Sequence, residues 1–335
     1  MTTAPRVSIL LPCRNAESTL HEAVRSLVVQ TYEDLEIIAV DDGSTDSTAS
    51  LLTDWARQDR RIRVIGIETQ GIVAALNTAA AAARGELLAR MDADDIASPH
   101  RIERQVSLLD SAAGLAACGT QVRYFPRGVV RDGARQYEEW INSINTPDEI
   151  ERDLFVECPL PHPTLELQRD AFERVGAYRD RGWPEDYDLV LRLWQAGYRL
   201  GKVAESLLDW REGPDRLSRV DPRYSDDAFR RCKVTYLKNR IRDRAVVICG
   251  SGPVGKSFAL ELQGQSHRVV AFIDLDPRKI GQTIHGAPVI EPSDVGLYRD
   301  AYFLAAVGSA EARGEIRTYL SQAGLREIED FCAVA

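Results

Sequence analysis

The 335-residue sequence predicts an α/β fold built as two successive domains, and three observations carry that expectation. Apolar strand-like runs alternate with helical periodicities over roughly the first hundred residues, the pattern of a parallel sheet layered with helices. Two of those runs end in carboxylates, Asp41-Asp42 and Asp92-Ala93-Asp94-Asp95, at the strand end where open α/β sheets place their ligands. A fresh strand–turn–helix pattern then starts at Ala245 with "VVICGSGPVGKSFA", and a chain of this length fills two domains with a core each.

Each element follows from its local pattern. "VSILL" (Val7 to Leu11) reads as a strand. The helix after it repeats Leu20, Ala23, Val24, Leu27 and Val28 at i, i+3, i+4, i+7 and i+8. "LEIIAV" runs into the turn Asp41-Asp42-Gly43-Ser44, followed by a helix around "ASLLTDWA". "IRVIGI" (Ile62 to Ile67) precedes an Ala-rich helix that ends near Gly85, and "LLARM" runs into the acidic "DADD". Residues from about 115 to 220 are less regular. They hold the Pro-rich "CPLPHPT" and the helix "EDYDLVLRLWQAG", whose first turn is set by Pro184. Seven Lys or Arg from Arg230 to Arg244 mark a basic helical segment, read here as a closing helix and linker. The expected domains are therefore residues 1–221 and 244–335, joined by a helical linker over 222–243.

Composition narrows the function. A net charge of −9 and an isoelectric point near 5.3 argue against nucleic acid as the main partner. Six cysteines lack any C-x-x-C pair, which fits buried thiols in a reducing compartment better than a disulfide framework or zinc site. There is no H-E-x-x-H, and no apolar run approaches the roughly 18–20 residues that span a bilayer. The expected location is cytoplasmic, at most peripheral at the inner face of a membrane.

Adjacent carboxylates repel, so "DADD" after a strand calls for a reason. One is a solvated acidic turn or a set of helix caps. The other is a hard-cation site, because carboxylate oxygens suit magnesium or manganese. The surroundings weigh on the second side. "VSILLPCRN", "QTYEDLEIIAVDDGSTDST", "ALNTAAAAARGELLARMDADDIASPHRIERQ", "CPLPHPT", "VGAYRD", "EDYDLVLRL" and "WREGPDRLSR", in this order over about residues 5 to 240, resemble a family 2 glycosyltransferase of GT-A fold.

That resemblance implies roles residue by residue. Pro12 and Asn15 end the first strand beside the nucleotide, Asp42 hydrogen-bonds the nucleobase, and Asp41 supports its turn. Asp94 is the preferred ligand of Mn2+ or Mg2+, with Asp92 nearer the ribose or a metal-bound water, while Asp95 caps the following turn. Asp186, beside Glu185, matches the family's catalytic base, and the first turn of a helix favours an ionised carboxylate there. His162, Arg211, Arg216 and Arg219 are placed to grip the diphosphate or the acceptor. The implied reaction is an inverting displacement from a nucleotide-sugar donor onto the hydroxyl of a saccharide, lipid-linked or other acceptor, in bacterial polysaccharide or glycoconjugate synthesis. Two other readings stand beside it: a nucleotide-sugar oxidoreductase or epimerase driven by the second domain, and a non-catalytic nucleotide-sugar-binding scaffold.

The stretch opening the second domain fits two motifs. Gly250, Gly252 and Gly255 have the dinucleotide spacing G-x-G-x-x-G, and with Lys256 and Ser257 they also fit a P-loop. Only 78 residues follow Ser257, and Asp274 comes 19 residues after Gly255 at the end of the next strand, where a dinucleotide fold puts its ribose-binding acid. A small Rossmann-like parallel-sheet domain is therefore expected. "IDLDPRKIGQTIHGAPVI" and "YFLAAVGSAEARGEIR" resemble the nucleotide-binding modules in front of sugar-modifying acyltransferases and CoA-binding-type Rossmann domains. NAD(P) or a nucleotide at this site is one expectation, and a purely structural or homo-oligomerising role is the other.

Overall fold

The computed structural model describes residues 4–213 and 216–335, so Pro214 and Asp215 of the "WREGPDRLSR" motif lie outside the described residues. The chain divides into two compact units. The first comprises residues 1–147, 159–181 and 185–220, and the second comprises 148–158, 182–184 and 221–335.

The first unit is built on eight strands: Val7–Cys13 (β1), Leu35–Asp42 (β2), Ile62–Ile67 (β3), Leu87–Arg90 (β4), Ile96–Ala97 (β5), Leu115–Phe125 (β6), Glu166–Gln168 (β7) and Arg199–Arg211 (β8). Their order is β3-β2-β1-β4-β7-β6-β8-β5. The first four strands are parallel, and β7 then runs antiparallel to both β4 and β6. Every residue of β2 is buried, which explains its unbroken apolar run: a parallel strand is covered on both faces. The helix Leu20–Val28 turns Leu20, Ala23, Val24 and Leu27 inward, the stripe its spacing predicts. Leu20, Val24 and Leu27 join Ile9, Leu11 and Ile37 in the core.

Because β1, β2 and β4 are parallel neighbours, their carboxyl ends bring three loops to one edge of the sheet. The loop after β2 needs Gly43. Its φ is +64°, and a Cβ there would lie 2.4 Å from Thr69 Oγ1 and 2.8 Å from Thr69 N. A side chain would both strain the turn and push Thr69 away.

Strand β7 carries an unusual core residue. Glu166 is fully buried, and neither of its carboxylate oxygens has a hydrogen-bond partner among the described residues. Burial pushes its carboxyl up from 4.5 to about 8. A raised folded-state value means that this group's contribution to stability is complete below about 4.5 and is lost as pH rises through about 8. Glu166→Gln, which mimics the protonated acid, should be more stable than the wild type by on the order of 3 kcal/mol at pH 7. Melting curves between pH 5 and 8 check this: the wild type loses stability across the window relative to the variant. Parallel curves would show that Glu166 does not titrate there.

The second unit has six strands, Val246–Cys249 (β9), Val269–Ile273 (β10), Thr283–Ile284 (β11), Ala287–Ile290 (β12), Tyr302–Ala305 (β13) and Phe331–Ala333 (β14). Their order is β11-β12-β10-β9-β13-β14, parallel from β12 to β14. The turn from β9 into the helix Pro253–Gly264 is only three residues long. A Cβ on Gly255 would lie 1.9 Å from Gly250 O, so this glycine lets the helix start close against the strand. Lys256 is exposed on that helix.

The basic segment departs from its expected role as a linker. It forms the helix Asp226–Ile241, with Ala228, Cys232, Val234, Leu237 and Ile241 fully buried. Lys233 Nζ donates to Val156 O at 2.7 Å and to Val334 O at 3.1 Å, and Arg240 donates to Glu151 O at 2.7 Å. Two of the basic residues thus point inward and satisfy buried carbonyls, and the helix is a structural member of the second unit. All six cysteines are buried thiols outside any disulfide. Among the described residues, no helix is long and apolar enough to cross a membrane.

Candidate active site

At the carboxyl end of β1, Pro12 is half-buried in the strand and Asn15 follows with φ +47°. Asn15 N donates to Ser44 Oγ at 3.0 Å, and its Oδ1 accepts from Thr45 N at 2.9 Å. It ties the β1 loop to the β2 loop, so its side-chain oxygen is occupied by backbone. Asp41 Oδ1 accepts from Ser44 N at 3.2 Å and so closes its turn. The two oxygens of Asp42 accept from Gln70 N at 2.7 Å and Gly71 N at 2.9 Å, while Arg14 lies 3.8 Å away. Both oxygens of Asp42 thus clamp the loop at Gln70 and Gly71.

Strand β4 delivers the acidic cluster. One oxygen each from Asp92, Asp94 and Asp95 all lie within 4.8 Å of one another. Asp94 is pushed up to about 6, by burial first and then by the charge of Asp92. Asp95 is raised well above the usual carboxylate range, by burial first and then by Asp92 and Asp94. It does not cap the following turn as expected. Its Oδ1 instead accepts from Arg211 N, on β8, at 2.7 Å, and its buried Oδ2 has no partner among the described residues. Three crowded carboxylates with an orphaned buried oxygen fit a hard divalent cation, which supplies the charge this cluster lacks.

Arg90 lies behind the cluster. It is 1% exposed and donates to Asp92 Oδ1 at 2.5 Å, while its Nε and Nη1 have no partner among the described residues. Arg101, also buried, donates to the carbonyl of Arg90. These arginines were not anticipated from sequence. The available signal was a cation inside "LLAR", a strand too apolar and too central to leave it in water.

The helix Glu185–Gln195 starts beside this region with Glu185 and Asp186 in its first turn. Glu185 is fully buried, with Oε1 3.8 Å from His162 Nδ1, whereas Asp186 is half-buried and its Oδ1 accepts from Tyr187 N at 2.7 Å. Of the two candidate catalytic acids, Asp186 is the one with solvent access. His162 Nε2 is 2.9 Å from the Tyr178 hydroxyl. Burial first, then the charge of Arg90, holds the imidazole well below its ordinary value. Burial therefore disfavours the charged form of the His162 imidazole. Burial pushes the Tyr178 hydroxyl up, Arg90 lowers it, and Glu185, Asp186 and Asp92 raise it further, so Tyr178 feels charge from both the helix start and the acidic turn.

The three candidate arginines near β8 have separate surroundings. Arg211 donates from Nε to Asp94 O at 2.6 Å and from Nη2 to Glu22 at 2.7 Å, so it straps the acidic turn and is not a free cation. Arg216 lies 4.4 Å over the Trp210 ring and 3.2 Å from Glu212, and Arg219 also pairs with Glu212. Arg216 is close enough for its charge to lower Asp94.

A parallel sheet whose ligand edge carries a D-D-G-S turn and a D-x-D cluster, with an acid-bearing helix start beside them, defines a glycosyltransferase of GT-A fold. The chain matches the family model Glycosyl transferase family 2 over residues 8–176, and it belongs to that family. It is 30% identical over 253 residues to a glycosyltransferase of Haemophilus influenzae, covering 72% of this chain and 77% of that one. It is 27% identical to the amylovoran biosynthesis glycosyltransferase AmsE of Erwinia amylovora, covering 63% of this chain and 78% of that one. Among solved structures it resembles S. aureus TarS 1-349 in complex with UDP-GlcNAc, with a TM-score of 0.55, 17% identity, and coverage of 70% of this chain and 67% of that one. It also resembles the mannosyltransferase PcManGT from Pyrobaculum calidifontis in complex with GDP-Man and Mn2+, with a TM-score of 0.54, 18% identity, and coverage of 98% and 83%.

Proposed function

We propose that this glycosyltransferase moves a sugar, with inversion and with the help of a divalent metal, from a nucleotide-sugar donor to an acceptor hydroxyl in polysaccharide synthesis. The observation that carries the reading is the cluster of Asp92, Asp94 and Asp95 at the end of β4, and half-exposed Asp186 opens the helix whose charge, like that of Asp92, is felt at Tyr178. AmsE, named for amylovoran biosynthesis, supports the polysaccharide role. The UDP-GlcNAc and GDP-Man bound by the structural neighbours support a nucleotide-sugar donor.

Asp94 and Asp95 would hold Mn2+ or Mg2+, with Asp92 beside them. When bound, the cation offsets the negative charge that builds on the departing nucleoside diphosphate. Asp92 is already paired from behind with Arg90, which leaves Asp94 and Asp95 as the carboxylates with most to gain from a cation. Asp186 takes the proton of the acceptor hydroxyl as that oxygen bonds to C1 of the sugar and the C1–O bond to the diphosphate breaks. His162 meets the Tyr178 hydroxyl at 2.9 Å, and buried Glu185 opens the helix beside Asp186.

A panel of UDP-, GDP-, CDP- and dTDP-sugars, each assayed for diphosphate release with and without Mn2+ or Mg2+, tests this. At least one donor should release diphosphate in a metal-dependent way. Release from none, or turnover of a nicotinamide cofactor instead, overturns the reading.

A further inference from the structure

The second unit holds a cavity of about 380 Å3 that sugar transfer does not use. It opens at the carboxyl ends of β9 and β10 and is lined by Ile273, Leu275, Val307, Ala312, Ile316 and Tyr319. The chain crosses from β9 to β10 on one side, while β13 pairs with β9 on the other. The cavity thus lies where strand order reverses, the crevice in which open α/β sheets take ligands.

Its chemistry is selective. The walls are apolar except for Asp274, Glu315 and the Tyr319 ring. Leu275 forms the lip at 76% exposure, and the Tyr319 hydroxyl donates to Pro292 O at 2.5 Å, which fixes the ring. Two apolar walls with a fixed aromatic ring suit a flat heteroaromatic base. At the mouth, Asp274 accepts from Ser251 N at 3.1 Å, from the Ser251 hydroxyl, from Asp276 N at 2.9 Å and from Lys279 Nζ at 2.9 Å. Two of these contacts come from Ser251 in the turn after β9 and one from Asp276 in Asp274's own turn. The fourth comes from a flexible, 37%-exposed side chain, and a ribose hydroxyl can take its place.

The floor is bare backbone. Gly250 has φ +112°, and a Cβ there would lie 2.8 Å from both Ala306 O and Val307 Cγ1. The helix beginning at Pro253 has Gly252 as its N-cap, with no side chain capping it. Pockets for whole small ligands run from about 300 to 1,000 Å3, so this one sits near the lower bound and accommodates one nucleoside, not two.

We infer that the second unit binds a nucleoside diphosphate, with its base in this cavity, its ribose at Asp274 and its phosphates over the Gly250–Gly252 turn. The same chemistry occurs in a free nucleoside diphosphate, in a nucleotide sugar and in half of a dinucleotide, and the volume favours the first two.

Calorimetric titration of the full chain with UDP, GDP, CDP, ADP and NAD+ tests the assignment. At least one nucleoside diphosphate should bind with two equivalents per chain. Ala312→Trp fills the cavity and should abolish one equivalent while leaving diphosphate release from the sugar donor unchanged. Asp274→Asn, which keeps the volume, should weaken the same equivalent by at least about tenfold. Binding in which no equivalent is lost in Ala312→Trp, undiminished affinity in both variants, or NAD+ filling the cavity more tightly than every nucleoside diphosphate would each overturn it. The readouts separate this inference from the transfer reaction: a cavity-dependent equivalent can survive in a chain that releases no diphosphate, and the reverse.

Discussion

Asp186→Asn should lower the rate of sugar transfer by about 10²- to 10⁴-fold, the usual worth of a positioned general base. Donor affinity should stay near the wild-type value. The substitution is nearly isosteric, and the contact from Tyr187 N to Asp186 Oδ1 at 2.7 Å can be kept by the amide oxygen of Asn. The start of the helix should therefore survive, and the loss should appear in kcat with little change in the donor Kd. Glu185→Gln is the matched control, since Glu185 is fully buried and has no path to an acceptor. A rate unchanged in Asp186→Asn, or a collapse in Glu185→Gln alone, would move the base away from Asp186.

Asp94→Asn should weaken binding of Mn2+ to the donor-free protein by about 10- to 100-fold or more, since even an outer-shell partner is worth that much. Electron paramagnetic resonance of added Mn2+ measures it directly, without reference to turnover. Asp92→Asn should cost less, because Asp92 is already paired with Arg90 at 2.5 Å. Asp94 is the residue that burial and a neighbouring charge push up to about 6. A larger loss from Asp92→Asn than from Asp94→Asn would reverse the order of the two ligands.

The sequence is most readable where structure is local. Strand β3 coincides with "IRVIGI", and the buried stripe of the first helix follows its spacing, because both depend on residues a few positions apart. The acidic turn was readable for the same reason. What stayed hidden depends on distant partners. Nothing near Asp95 announces that its carboxylate meets the backbone of Arg211, 116 residues on. Sequence likewise gives no sign that burial disfavours the charged form of His162. The helix Asp226–Ile241 reads as a solvated basic segment because charge count ignores direction. Lys233 and Arg240 turn inward to carbonyls, and composition cannot distinguish that from facing water.

Arg211 carries one more consequence. The family-model match stops at residue 176, yet the acidic turn is held by a side chain and a backbone N–H on the last strand of the unit. The same guanidinium reaches Glu22, near the start of the chain. A fragment cut where the family-model match ends would keep every motif aspartate of the turn and lose the strap that arranges them. For transplanting or fusing this catalytic unit, the smallest working piece runs at least through β8, because a hydrogen bond from that strand holds the turn.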